Sequence, residues 1–335
     1  MSNQLKWNEY DRLNLAYLPT PLRRLDRLSE EWGIDLWIKR DDLTGLETSG
    51  NKIRKLEYTV AQAKKENADV LITCGGIQSN HCRATAAVAA SVGLKSHLVL
   101  RIDEQPPLEG NYLLDKILDA EITLISRDDY SNRRMEIMEK IRDDYAAKGL
   151  RAYIIPEGAS DGIGNFGYIN AVKEIAEQEK SLDLHFDTLV CAVGSGGTYS
   201  GLYLGTKLYQ TNQKVLGFNV CDDEEYFLNV CTSIASDTVK RIDADISVSR
   251  DDMHIIDGYK GKGYAVSSDD ELEFIIDVAR KEGVILDPVY TGKALYGFYQ
   301  ELKKGNLKDV QHALFIHTGG IFGLFPKQEQ IAQLL

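Results

Sequence analysis

Val70-Leu71-Ile72-Thr73-Cys74-Gly75-Gly76-Ile77-Gln78-Ser79-Asn80-His81 is a short apolar run ending in a glycine-bearing polar turn. An alanine-rich helical stretch over 84–91 follows and stops at Gly93, and 96–100 is strand-like again. Strand, turn, helix and strand in that order signal parallel α/β architecture. The rhythm recurs downstream. Helices are expected over 111–118 and 134–148, and strands over 121–125 and 152–155, before a glycine-rich stretch at 156–167. A second run follows with helix 167–180, strand 188–193, helix 198–209 and strand 215–220. Further helices are expected over 224–239, 269–282 and 291–304, and a buried last strand over 313–317. Upstream, 23–32 reads as a short helix, 36–40 as a strand and 51–67 as a helix. No repeat of 20–50 residues and no disordered linker interrupts the pattern, so two lobes are woven together rather than tethered.

A chain of 335 residues is long enough for a sizeable core in two such lobes. Its 43% hydrophobic and 27% charged content are those of an ordinary soluble globule. The net charge of -12, with scattered acidic residues, argues against nucleic acid and anionic membrane as partners. The five cysteines form no C-x-x-C pair and read as reduced thiols. No apolar run reaches membrane-spanning length and the first ten residues are polar, so a cytoplasmic protein is expected.

Chemistry gathers first at Ser49-Gly50-Asn51-Lys52-Ile53-Arg54-Lys55-Leu56-Glu57. A Ser-Gly-Asn turn delivers Lys52 to the first turn of a helix, against the positive end of its dipole. That position suits an amine that must lose its proton or bond a carbonyl, although a plain basic helix face, with Arg54 and Lys55 as company, also explains the stretch. Gly194-Ser195-Gly196-Gly197-Thr198 follows an apolar strand and opens a helix, where converging amides could hold one phosphate or simply pack tightly. It lacks the Walker and dinucleotide spacings. Gln78-Ser79-Asn80 can hold a carboxylate at the equivalent junction, or serve as a polar helix cap. Asp287-Pro288-Val289-Tyr290-Thr291-Gly292-Lys293 and His317-Thr318-Gly319-Gly320 are two more exits. Ligands collect beyond the carboxyl ends of parallel strands, so four polar exits point at one cleft. No metal-ligand set survives inspection, the Asp41-Asp42 pair being explained as a solvated turn.

The sequence resembles the fold type II pyridoxal-phosphate enzymes, in the branch holding D-cysteine desulfhydrase and 1-aminocyclopropane-1-carboxylate deaminase. The likeness spans nearly the whole chain. It is carried by Pro19-Thr20-Pro21-Leu22, Ile38-Lys39-Arg40-Asp41-Asp42, Gly50-Asn51-Lys52 with Arg54-Lys55-Leu56-Glu57, Gln78-Ser79-Asn80-His81, Asp287 to Ala294 and His317-Thr318-Gly319-Gly320. The resemblance implies a two-lobed α/β fold like the tryptophan synthase β chain, with parallel-sheet cores and flanking helices. The small lobe would be 53–162, and the large cofactor-binding lobe 1–52 with 163–335. It implies pyridoxal 5'-phosphate bonded to Lys52, its phosphate over Gly194, Ser195, Gly196, Gly197 and Thr198, and Asn80 at its 3-oxygen. Thr318 joins the cofactor set. Gln78, Ser79 and Asn80 would take the substrate carboxylate, and Ser79, Tyr290 and Tyr264 would join Lys52 at the reacting centre. A small amino-acid substrate and a homodimer are likewise implied.

Cyclopropane deaminases carry a glutamate after the tyrosine, at the cofactor's ring nitrogen; Thr291 stands there in this chain. A hydroxyl strengthens the electron sink less than a carboxylate does, which favours losing a good leaving group over opening a cyclopropane. β-Elimination from D-cysteine, giving pyruvate, ammonia and hydrogen sulfide, is therefore the expected reaction. An L-cysteate sulfo-lyase, the cyclopropane deaminase and a noncatalytic binder are the alternatives. No arginine pair stands near the four exits, which favours the thiol over the sulfonate, although Arg83 or a distant loop could supply one.

Overall fold

The computed structural model describes residues 10–335 except Gln105, Lys262 and Tyr264. The first half runs β1 (Leu22–Arg24), α1 (Asp26–Trp32), β2 (Asp35–Lys39), α2 (Lys52–Lys65), β3 (Val70–Gly76), α3 (Asn80–Ser91), β4 (Lys95–Arg101), α4 (Gly110–Ile117), β5 (Glu121–Ile125), α5 (Arg127–Ala146) and β6 (Ala152–Ile154). The second runs α6 (Phe166–Leu182), β7 (Thr188–Val193), α7 (Gly197–Tyr209), β8 (Lys214–Asn219), α8 (Glu224–Ile242), β9 (His254–Ile256), α9 (Asp269–Glu282), α10 (Thr291–Lys303), β10 (His312–Ile316) and α11 (Gln328–Ala332).

The strands form two sheets. One is four-stranded in the order β5-β4-β3-β6, entirely parallel and drawn from residues 70–154. The other is six-stranded, β1-β2-β10-β7-β8-β9, and combines both ends of the chain. Only β1 runs antiparallel in it. The central strands read as continuous apolar runs because each face is covered by helices. Along β7, Leu189, Cys191 and Val193 belong to one core, and the intervening Val190 and Ala192 to the other. The smaller sheet behaves alike, with Leu71 packed under α2 and α3, while Val70, Ile72 and Cys74 meet Met138 and Tyr145 of α5.

The α/β class and most elements match the sequence pattern, with three differences. The stretch 23–32 is helical only from Asp26, because Leu22–Arg24 is extended alongside Trp37 to Lys39 and covers the edge of β2. Helix α5 begins at Arg127 rather than 134, started by the Ser126 hydroxyl accepting the Asp129 N–H; its mostly solvated face hides the helical period. Strand β9 lies in a stretch with no strand signature and gains its place by pairing with β8.

Several resemblance motifs meet in one polar lock. Arg54 donates to both oxygens of Asp41 at 2.8 and 2.9 Å and to Glu174 at 2.9 and 3.0 Å. Tyr168 and Thr20 also donate to Asp41, and Lys39 pairs with Glu174. Burial alone would lift the Asp41 carboxyl, but the Arg54 guanidinium overrides it and holds the group below its ordinary value. Asp41 and Asp42 are thus structural, Asp42 pairing with Arg40. The lock fastens α2 to β2 and α6, and so fixes Lys52 at the head of α2.

Candidate active site

The segments leaving the carboxyl ends of β3, β4, β6, β7 and β8 enclose a cleft of about 750 Å³, with Gly76, Arg101, Pro156, Gly194 and Cys221 on its walls. Lys52 lines both this cleft and an adjoining narrow slot. Its turn depends on Gly50, whose φ is +106° and where a Cβ would stand 2.6 Å from the Thr318 carbonyl oxygen. The Asn51 N–H donates to that same oxygen at 3.1 Å. Thr318, after β10, therefore holds the lysine turn through its backbone while also lining the slot. Burial pushes the Lys52 ammonium down to about 8, against the opposing pull of the Glu157 and Asp287 carboxylates.

Gly194, Ser195, Gly196 and Thr198 line the slot, at the N-terminus of α7. Asn51 Nδ2 donates to the Thr198 hydroxyl at 2.9 Å, and the Ser195 and Ser160 hydroxyls are 2.8 Å apart. Lys55, one turn after Lys52, reaches the same loop. Its ammonium donates to Ser160 at 3.1 Å, and a Cβ on Gly197 would stand 3.0 Å from it. Lys55 is fully buried, and among the described residues no carboxylate lies within 4 Å of its nitrogen. Burial and the neighbouring Lys52 charge push its pKa well below the ordinary lysine value. A buried cation facing a glycine-rich helix N-terminus lacks only an anion, and a phosphate group fits that combination.

On the other side, Ser79 caps α3 by accepting the Cys82 N–H at 3.2 Å, and it lines the cleft. Asn80 lines the slot, its amide oxygen accepting from Asn111 at 2.9 Å. Gln78 is engaged elsewhere: its oxygen accepts the Asn111 N–H and its nitrogen donates to Glu109 at the start of α4. His81 is buried behind them. The Thr73 hydroxyl donates to the Ile155 carbonyl, which leaves the His81 Nε2–H as the donor in their 2.8 Å contact. This histidine is structural, as a lone histidine beside a helix start usually is.

Tyr290 lines both cavities, and its ring covers Gly194, where a Cβ would meet it at 3.0 Å. Thr291 is fully buried behind it; its hydroxyl donates to Asp287 Oδ1 at 2.7 Å and accepts the Asp287 N–H at 2.8 Å. Thr291 is not among the residues lining the slot. Tyr264 lies outside the described residues. The structure brings together Lys52, Ser79, Asn80, Gly194 to Thr198, Tyr290 and Thr318. It also adds what sequence did not single out: Asn51, Lys55 and Ser160 at the phosphate end, and Arg101 and Arg134 on the cleft wall. The expectation of a cleft without an arginine pair is thereby corrected. These arginines sit 33 residues apart, on β4 and α5, and only the fold joins them. For Lys55 the signal was present: an i,i+3 step puts it on the Lys52 face.

Comparison with known proteins agrees with this geometry. The chain is 45% identical over 331 residues to the mitochondrial bifunctional D-cysteine desulfhydrase/1-aminocyclopropane-1-carboxylate deaminase of Arabidopsis thaliana, covering 96% of this chain and 81% of that protein. It is 44% identical over 324 residues to a putative 1-aminocyclopropane-1-carboxylate deaminase of Thermotoga maritima, covering 96% and 99%. A crystal structure described as an ACC deaminase homologue superposes with a TM-score of 0.90 at 38% identity, covering 98% of this chain and 97% of that one. A bacterial threonine deaminase, at 18% identity and a TM-score of 0.64 over 90% and 92%, shares the fold. Residues 13–319 match the family described as pyridoxal-phosphate dependent enzymes, and the chain, with its buried lysine, phosphate-fitting loop and two-sheet cleft, belongs to that family.

Proposed function

We propose that this lyase carries out β-elimination and deamination of D-cysteine: with one water, the substrate gives pyruvate, ammonia and hydrogen sulfide. The observation that carries this choice is Thr291. The helix after Tyr290 opens on a buried threonine whose hydroxyl is engaged with Asp287, where the ring-opening members of the branch have a glutamate. Ring opening of 1-aminocyclopropane-1-carboxylate to 2-oxobutyrate and ammonia is the second reading, favoured by the names of the relatives.

Pyridoxal phosphate, when bound, supplies an electron sink for the pair released at the substrate's Cα. The chain's own groups supply the rest. Gly194 to Thr198 and Lys55 hold the phosphate, and Asn80 orients the ring. Ser79 and Asn80, capping α3, receive the substrate carboxylate, while Gln78 supports their loop from behind. Lys52, with its pKa near 8, is largely protonated at pH 7 yet easily loses that proton, so its nitrogen can take and return a proton at Cα. The Ser79 hydroxyl is the alternative proton carrier, and Tyr290 closes the reacting side. We place Tyr264 beside it and take 53–162 as the small lobe against 1–52 with 163–335. This division is supported by the separate sheets and allows the cleft to close over substrate. The five free cysteines fit a reducing compartment such as the cytoplasm.

A homodimer is the proposed assembly. It is supported by a groove of about 530 Å³ lined by the exposed Tyr17, Leu43, Leu46 and Ile285.

The test is product analysis on the cofactor-loaded protein with D-cysteine, L-cysteine, D-serine and 1-aminocyclopropane-1-carboxylate. Pyruvate and sulfide from D-cysteine support the reading. Efficient release of 2-oxobutyrate from the cyclopropane, with D-cysteine inert, overturns it in favour of ring opening. No ketoacid from any of them removes the elimination reading altogether.

A further inference from the structure

The far wall of the cleft carries a feature that elimination from D-cysteine does not use. Arg101 ends β4, in register with Gly76, the last residue of β3 and itself a cleft residue. Its guanidinium carbon lies 5.1 Å from the centroid of the Tyr130 ring. Arg134, one turn along α5 from Tyr130, lies 5.2 Å from the same centroid and donates to the Tyr130 carbonyl at 3.1 Å. Tyr130 is 4% exposed, and its hydroxyl donates to Cys74 Sγ at 3.8 Å, so the ring is a fixed platform. All three residues line the cleft that holds Lys52.

Two planar guanidiniums held on one buried ring form a preorganised donor surface, and the guanidinium fork matches carboxylate and sulfonate oxygens. The local charge agrees. The cleft is lined by the cations Lys52, Arg101, Arg134 and Lys260 against the carboxylates Glu157 and Asp222, in a chain whose net charge is -12. Among the described residues Arg134 has no carboxylate within 4 Å, whereas its neighbour Arg133 is paired with both Asp129 and Glu136. A rim arginine kept only for solubility would be expected to resemble Arg133. The α-carboxylate of an amino acid already has its place at Ser79 and Asn80, on the near side of the cleft.

We propose that Arg101 and Arg134 form a side-chain anion subsite, so that the preferred substrate class is an amino acid bearing a second anionic group, a sulfonate or carboxylate, beyond its β-carbon. This rests on the amino-acid lyase reading above and deepens it, ranking an anionic side chain above the bare thiol.

The test uses two amine-free probes that cannot react with the cofactor, 3-sulfopropionate and propionate, titrated calorimetrically into the cofactor-loaded protein. A second charge-assisted contact makes 3-sulfopropionate bind about tenfold tighter or more than propionate. Arg101→Gln and Arg134→Gln each remove most of that ratio, Arg134→Lys keeps part of it, and Arg133→Gln leaves it unchanged. A wild-type ratio near one overturns the subsite, even where a glutamine variant does not fold. So does an unchanged ratio in glutamine variants that melt like the wild type. Pyruvate release with a ratio near one removes the subsite and keeps the elimination reading. A high ratio without ketoacid from any amino acid does the reverse.

Discussion

At the residue scale, Lys52 and Lys55 are two buried amines three positions apart with opposite needs. Lys52 has a folded-state pKa of about 8, below its unfolded value, so its neutral form is reached within the working range. Bonding to the cofactor's aldehyde requires that neutral form, which fixes the sign of the pH effect. Cofactor uptake by the unloaded protein is expected to accelerate as pH rises through about 8 and to level off above it, followed by the growth of cofactor absorbance. A rate that does not change with pH across that range would show that Lys52 is not the titrating nucleophile. Lys55 is a cation waiting for a phosphate. Because its pKa is also depressed, the unloaded fold gains stability as pH rises from that folded value toward the ordinary lysine value, the reverse of a salt-bridged lysine. Lys55→Met should therefore act in two directions: about 10- to 100-fold weaker cofactor binding from one lost charge-assisted contact, and a higher melting temperature for the unloaded protein near neutral pH. Equilibrium dialysis and thermal melts read the two effects separately; a lower melting temperature without cofactor would mean that Lys55 is a structural cation. Lys52 stood out in the sequence because a charge opposed a helix dipole, whereas Lys55 was hidden within an ordinary-looking basic run.

Elements were legible where periodicity reports burial on both faces, as in β7 and β3, and obscure where tertiary pairing decides. Leu22–Arg24 and His254–Ile256 are strands only because β2 and β8 offer them an edge. The four polar exits were legible as a group, since strand ends are recognisable in sequence; their division of labour was not. Gln78 proved to be a brace for α4, a contact across 33 residues that no local pattern encodes. The close approach of α2 and α6 was equally invisible. Gly167, in the first turn of α6, lies so near α2 that a Cβ would stand 2.4 Å from the Arg54 carbonyl oxygen and 2.8 Å from the Lys55 N–H nitrogen. Those are backbone atoms and cannot swing aside. Gly167→Ala must push α2 away, moving the helix that presents both lysines, and should cost about 1–3 kcal/mol of stability by overpacking. It should also weaken cofactor binding although residue 167 touches neither cavity. Chemical denaturation and dialysis check the pair of effects; unchanged stability would mean that the two helices are free to separate at that point.

Across the whole molecule, the surface divides into a charged majority and one apolar groove. Tyr17 is 75% exposed and Leu46 71%, and with Leu43 and Ile285 they line a hollow of about 530 Å³ on the side of the His317-to-Gly320 turn. A large apolar hollow on a chain of net charge -12 is costly to leave in water, and a second copy of the same chain covers it with a self-complementary contact. The hollow is also mechanically close to the site, because Ser49 and Gly319 belong to its wall and to the turns that hold Lys52. Dimerisation would then stiffen the very turn that positions the lysine. Sedimentation at micromolar concentration is expected to give twice the chain's mass. Leu46→Glu should yield a monomer with reduced cofactor affinity, while Leu182→Glu, at an exposed position not lining the hollow, should remain a dimer of full affinity. A Leu46→Glu monomer that binds cofactor as tightly as the wild type would separate assembly from the site. A Leu46→Glu protein that stays dimeric would move the interface to another face.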